Sequence, residues 1–362
     1  MGSVAQPLGC PGHRRLRLCK RKRRKRRLPA QAKGCATKTQ KAGYLFKFSF
    51  PMVNTNFIEV LPAFQLQTLP EEKAKYPLPL KAVRLAFNTL GRLFPQKAGA
   101  VAFRFFTQPR LRAVHRRTDE ILESARLFEI LYGKLILKAY EWGSGKKTVL
   151  LVHGWESRGT ALRGFVPGLL RAGYRVVAFD GPAHGDSGGK RTTLVEFAGA
   201  IKAVVQQVGG VDSIISHSFG GVTSVYALTQ LNLGIELEKL VLIAVPSNIK
   251  MVVKDAMQYM NVPPAAAKYF ERKLKKQAEH LTFDDINIEA SIGKAKVGSV
   301  LMVHDKFDRS VPFESAERVM DRWGHVNFLV TQGLGHFKLM KNGEVIERVV
   351  GFVAGTTPIP DL

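Results

Sequence analysis

The chain has 362 residues, of which 45% are hydrophobic and 23% charged. That is a globular composition, long enough for one large α/β domain and an appendage, and no run of about 18 apolar residues occurs, so no transmembrane helix is expected. The net charge is +26, but residues 1–50 hold 15 Lys and Arg and no acid, which leaves +11 for the other 312 residues.

Arg14 to Arg27 is almost continuous positive charge, with Lys20-Arg21-Lys22-Arg23-Arg24-Lys25-Arg26-Arg27 at its centre. Such a block repels itself and is expected to be a disordered, solvated tail over residues 1–50, or sequence ahead of a start at Met52. Its candidate contacts are nucleic acid or an anionic membrane, or it is a nuclear-type address. No aromatic residue is interleaved with the charges, so base stacking has no support there. No apolar stretch follows that would make a secretory signal. Met1-Gly2-Ser3 opens like a myristoylation site, but Gln6 stands where Ser or Thr is needed. Cys10, Cys19 and Cys35 all lie in this tail, and the body has no cysteine. A disulfide framework is therefore not expected, and a reducing, cytoplasmic compartment is, with peripheral membrane association left open.

Residues 51–125 read as a helical N-terminal segment. Leu80, Val83, Phe87, Leu90 and Phe94 recur at three- and four-residue spacing, with Lys81, Arg84 and Arg92 between them. This basic amphipathic pattern suits packing on a neighbouring domain, or else a membrane surface. A second helix is expected over Gly99 to Phe106 and a third over Thr118 to Ala125, where Thr118-Asp119-Glu120 resembles a cap followed by acids.

From Leu127 the period changes. Phe128 to Tyr132, Gly133-Lys134 and Leu135 to Trp142 predict a hairpin with a two-residue turn. Thr148 to Val152 is a continuous apolar strand, as in a parallel sheet covered on both faces. A helix (Ala161 to Arg171), a strand (Tyr174 to Phe179), a helix (Thr193 to Val208) and a strand (Val211 to Ile215) follow. Lys239 to Val245, Ser299 to His304 and Asn327 to Val330 are further strands, and Glu344 to Phe352 is a closing helix. The alternation predicts a doubly wound, mostly parallel sheet over 126–362. The segment at about 248–297 interrupts it with two helical stretches, Met251 to Tyr259 and Pro264 to Gln277. An insertion at the rim of such a sheet is expected to act as a lid over the ligand crevice.

Between strand and helix, Ser216-His217-Ser218-Phe219-Gly220 reads small-x-Ser-x-Gly. A serine on so tight a turn is forced into strained geometry with its hydroxyl above the sheet, and the flanking residues must be small. The following helix points free N–H groups at it, which suits a developing oxyanion. The motif usually begins with Gly, and here it begins with Ser216.

Five blocks stand in order: Val152-His153-Gly154-Trp155, Asp180 to Ser187, Ser216 to Gly221, His304 to Pro312, and Gly333 to Phe337. With these the chain resembles the α/β-hydrolase fold superfamily from about Leu127 to Phe352. The resemblance implies the chain order nucleophile, acid, base, which here is Ser218, Asp308, His336. It also implies oxyanion donors in the backbone N–H groups of Phe219 and Trp155. Trp155 and His217 are further candidates for contact with substrate, Trp155 as a wall of the acyl pocket or as core. His153, His184 and His217 belong to turn motifs that position loops. Asp305, three residues before Asp308, is the competing acid; the two-residue gap from Asp308 to Val311-Pro312 follows the family spacing.

The expected chemistry is hydrolysis of a carboxylic ester or thioester through a covalent acyl-enzyme, with a small acyl substrate as partner. Ser218 needs an adjacent base, His336 supplies it, and Asp308 orients the imidazole. No metal or organic cofactor is expected, since no His, Asp and Cys cluster at ligand spacing occurs in the body. The alternatives are acyl transfer, amide hydrolysis or C–C hydrolysis on the same triad, or a non-catalytic module that binds an acidic partner. Nothing in the sequence fixes the oligomeric state.

Overall fold

The structure is a computed structural model, and it describes residues 57–61, 78–110, 112–114, 118–277 and 286–356. The basic tail and the expectations attached to it lie outside the described residues. Among the described residues, nine strands form one sheet. They are β1 (Phe57–Val60), β2 (Arg126–Tyr132), β3 (Leu135–Trp142), β4 (Thr148–Val152), β5 (Arg175–Phe179), β6 (Ser213–His217), β7 (Leu237–Ile243), β8 (Val297–Asp305) and β9 (Val326–Thr331). Their order across the sheet is β1-β9-β8-β7-β6-β4-β5-β3-β2. Only β2–β3 and β3–β5 pair antiparallel; every other pair is parallel.

The apolar runs follow from burial on both faces. Every residue of β4 is buried. Leu150 and Val152 enter a core with the helices Leu194–Gln207 and Phe219–Gln230. Val149 and Leu151 enter a second core with the helices Val166–Arg171 and Gly343–Ala354. Side chains alternate across a strand, so both parities must be apolar when helices cover both faces. The Leu194–Gln207 helix starts where Thr193 and Glu196 form a capping box, each side chain accepting the other's backbone N–H.

The N-terminal segment departs from the expected all-helical reading. Phe57–Val60 is a strand that adds in parallel to the free edge of β9, at Asn327–Val330. Only four residues long, it offers too little periodicity to be read from sequence. The apolar stripe at 80–94 also breaks. One helix ends at Asn88 and a short turn runs Leu90–Leu93, so Phe87 is buried while Leu90 and Phe94 face solvent. The second helix runs Pro95–Thr107, and the third is the single turn Glu120–Glu123, capped by Asp119.

The inserted helices are Ile249–Met260 and Pro264–Gln277. They do not stand alone. Phe87, Ala98, Ala102 and Phe103 from the N-terminal helices pack with Val253, Met257, Ala266 and Phe270 in a third core. Phe106 meets Phe270 edge to face at 5.3 Å. At the crossing of Pro95–Thr107 over Pro264–Gln277, a Cβ on Gly99 would stand 2.6 Å from the Ala266 carbonyl oxygen, so only glycine permits this approach. The two segments therefore make one helical cap, although some 140 residues separate them in the chain, from Thr107 to Ile249.

Candidate active site

Strand β6 lies between β4 and β7 with every residue buried, and it delivers Ser218 to the sheet's carboxyl edge. Ser218 has φ 51° and ψ −121°, a conformation that L-residues rarely adopt. The turn is held by close contacts. A Cβ on Gly220 would lie 2.4 Å from the His153 carbonyl oxygen, and one on Gly221 would lie 2.3 Å from Val245. Ser216 occupies the first small position at no cost in unpaired polarity, because its hydroxyl donates to the Val241 carbonyl at 3.0 Å. Ser218 Oγ makes no hydrogen bond among the described residues.

His336 sits in the short turn Gly335–Lys338, after Gly333 at φ 98° and next to Gly335 at φ 61°. Its Nδ1 lies 2.7 Å from Asp308 Oδ2, and since a carboxylate only accepts, Nδ1 carries the proton. Nε2 is left bare. The other carboxylate oxygen of Asp308 accepts the N–H groups of Ser310 at 2.7 Å and Val311 at 2.9 Å. Burial pushes the Asp308 carboxyl up, but the hydrogen bond from His336 and these two backbone donors outweigh it and hold the group below the usual carboxylate range.

Asp305 has a different task. Its side chain accepts Thr331 Oγ1 at 2.6 Å, Leu334 N at 2.8 Å, Phe307 N at 2.9 Å and Gly333 N at 3.3 Å. It ties the loop after β8 to the loop that carries His336 and, among the described residues, forms no hydrogen bond with the imidazole. Two acids three residues apart are alike in sequence; their partners separate them.

Phe219 is the first residue of its helix, so its N–H has no partner within the helix. Trp155 follows β4, whose loop runs beside the serine: a Cβ on Gly154 would lie 3.2 Å from Ser218 Cβ. The Trp155 ring packs edge-on against Phe219 at 5.3 Å and His184 at 5.1 Å. Glu156 at φ 52° accepts Arg110 through its backbone N–H at 2.8 Å and its guanidinium at 3.0 and 3.2 Å, which ties this loop to the chain leaving the cap.

Ser218, His336, Trp155 and Phe219 all line a cavity of about 690 Å³. Its other walls include Leu80, Val83, Phe105 and Phe106 from the N-terminal helices and Val252, Ala256 and Leu274 from the insertion. Sequence reading missed the N-terminal contribution to this wall. Its signal was the Leu80–Val83–Phe87 stripe, which has the same period whether it faces a core or a cavity.

His217, expected to contact substrate, is not among the residues that line the cavity. Its ring is buried, and Nε2–H donates to the His336 backbone carbonyl at 3.0 Å, so it positions the loop that carries His336. His184 Nδ1–H donates to the Pro182 carbonyl at 2.9 Å, and His304 Nε2–H to the Val311 carbonyl at 2.9 Å. His153 Nδ1–H donates to the Gly154 carbonyl at 2.7 Å while Nε2 accepts Gly181 N–H at 2.8 Å. Burial drives all four below the ordinary imidazole value, His184 to about 4 and His217 to about 3.

These four histidines set an acid limit on stability. Below pH ~6.5 the unfolded chain binds protons on them that the folded chain refuses, so stability present above that pH is lost as pH falls, by about 1.4 kcal/mol per pH unit for each histidine. Urea unfolding at several pH values from 7 to 5 checks this. His184→Asn, which keeps a donor toward Pro182, is expected to lose about 2 kcal/mol less than the parent chain over that range. An unchanged slope would show that His184 takes no part.

Among the described residues no group of three or more His, Cys, Asp or Glu is placed to hold a metal ion, and no helix is long and apolar enough to cross a membrane.

Residues 149–348 match the model of the alpha/beta hydrolase family. Among solved structures, the fold is similar to an esterase of Pyrococcus furiosus, with a TM-score of 0.51 and 22% identity over 68% of this chain and 96% of that one. Est1E from Butyrivibrio proteoclasticus, solved with ferulic acid, has a TM-score of 0.48 and 18% identity over 63% of this chain and 96% of that one. Alpha/beta hydrolase domain-containing protein 10 from mouse has a TM-score of 0.48 and 17% identity over 64% of this chain and 98% of that one. The comparison with curated protein sequences gave no match.

Proposed function

Given that the chain belongs to the alpha/beta hydrolase family, we propose that it is a serine hydrolase that cleaves a carboxylic ester or thioester with an apolar acyl chain. The observation that carries this reading is the 2.7 Å bond from His336 Nδ1 to Asp308, made at the wall of the same cavity in which the strained Ser218 stands. The imidazole of His336 and the hydroxyl of Ser218, whose Nε2 and Oγ make no hydrogen bond among the described residues, share one mainly apolar chamber.

In the proposed reaction Ser218 Oγ attacks the carbonyl carbon, and its proton passes to His336 Nε2. The oxyanion takes the N–H groups of Phe219 and Trp155. The intermediate collapses, the alcohol or thiol departs with the proton from Nε2, and the acyl group stays on Oγ. Water then repeats the sequence, gives up a proton to Nε2 and releases the acid. Asp308 keeps Nδ1 protonated and stabilises the transient imidazolium. No step calls for a cofactor.

The cap supplies the substrate class. The cavity falls within the 300–1,000 Å³ range, roughly, of small-molecule sites, and its walls are mainly Leu, Val, Phe, Ile and Met. Burying a methylene contributes about 0.8 kcal/mol, so kcat/KM should rise about fourfold per added methylene until the chamber is full. A panel of p-nitrophenyl esters of increasing chain length tests this, run with and without a fluorophosphonate probe. The expected result is a rising series abolished by the probe, with the adduct mapped to Ser218. Folded protein that turns over none of the esters and takes no adduct would refute the reading.

A further inference from the structure

We propose that the outer face of the helical cap docks on an anionic lipid surface. The charge distribution is the first ground. Residues 78–107 and 249–277 carry 12 Lys and Arg against 2 acids, a net +10, whereas residues 51–362 as a whole carry +11. The positive charge of the folded body is therefore concentrated on its cap, and the sheet and its flanking helices are close to neutral.

The second ground is what stands between those charges. Leu85, Leu90, Leu93 and Phe94 are 63%, 59%, 71% and 54% exposed. Leu78, Val101 and Phe105 are exposed as well. On Leu78–Asn88 the outward residues Leu78, Lys81, Ala82 and Leu85 fall three and four apart, and so share one face. On Pro95–Thr107 the same holds for Lys97, Val101, Arg104 and Phe105. Large apolar side chains with Lys and Arg beside them are the pattern of an interfacial surface, in which the apolar groups enter the acyl boundary and the cations meet anionic headgroups. Lys81, Arg92, Lys97 and Arg104 form no ion pair among the described residues.

The third ground is the position of the cavity. Pro79, Phe105 and Tyr259 are exposed on the cap and also line the chamber, so the apolar face and the chamber share a border. A lipid surface accounts for both the charge and the apolar residues. A second copy of this chain would bring +10 against +10, and an acidic protein would account for the charge alone.

Vesicle sedimentation with the full chain tests the proposal, using phosphatidylcholine vesicles with and without phosphatidylserine. Leu90, Leu93 and Phe94 do not line the cavity, so Leu90→Asn/Leu93→Asn/Phe94→Asn should keep the parent circular dichroism. That variant is expected to bind phosphatidylserine vesicles at least about tenfold more weakly, since apolar insertion supplies much of interfacial affinity. Lys97→Glu/Arg104→Glu is expected to bind more weakly at low salt and to match the parent at about 1 M salt, where the Debye length is ~3 Å. Parent-like binding by both variants would place the interaction in the basic residues 1–50 and overturn the proposal. So would a parent chain that binds neither kind of vesicle, the result expected if the cap meets an acidic protein instead.

Discussion

Ser218→Ala is expected to lower kcat by about 10⁶ if the serine is the nucleophile, because no other group then takes its place. The residual rate should remain about 10³–10⁴ above water, since the oxyanion donors and the cavity persist. Stability should barely move, because Ser218 Oγ makes no hydrogen bond among the described residues and Ala carries the same Cβ into the same strained backbone. Ser218→Gly separates strain from chemistry. A non-glycine residue held at φ 51° costs roughly 1–3 kcal/mol, so the glycine variant should unfold at higher urea while being equally inactive. Steady-state kinetics and urea unfolding on the three proteins check both halves. An alanine variant that retains more than a small fraction of parental kcat would remove Ser218 from the mechanism.

Much of the sheet and of the turn that carries Ser218 was legible in the sequence, for a physical reason. A central parallel strand has both faces covered, so Thr148–Val152 had to be uniformly apolar, and no surface helix needs that run. The elbow was legible because sterics admit few residue types: Gly220 and Gly221 stand against backbone and Val245 where no side chain fits. Ser216 looked like a departure from the pattern, and its hydrogen bond to Val241 explains why the departure is tolerated.

The cap was legible only in pieces. Helical periodicity located Pro95–Thr107 and Pro264–Gln277, but nothing local says that Phe103 and Phe106 meet Phe270. That contact spans distant parts of the chain, and a stripe of apolar residues looks the same whatever covers it. The same limit explains His217. Its place beside the serine suggested contact with substrate, whereas its hydrogen bond to the His336 carbonyl depends on a loop more than a hundred residues away.

The choice between Asp305 and Asp308 has the next largest expected effect, and here geometry predicts two different failures. Asp308→Asn keeps an oxygen for the N–H groups of Ser310 and Val311, but it turns an amide toward His336. The imidazole must then carry its proton on Nε2, where it can no longer accept one from Ser218, and kcat should fall about 10⁴-fold with KM little changed. Asp305→Asn leaves that tautomer alone. It loses one of two carboxylate oxygens that together hold Thr331, Leu334, Phe307 and Gly333, so its main effect should be on folding, about 1–3 kcal/mol, from buried donors left unpaired. Its kcat should fall far less, because the loop that carries His336 is still anchored from the other side by His217. Measuring kcat and urea midpoints for both variants separates an acid that orients the base from one that clamps its loop. If instead Asp305→Asn lost four decades in kcat at parental stability while Asp308→Asn stayed active, the roles given to the two carboxylates would have to be exchanged.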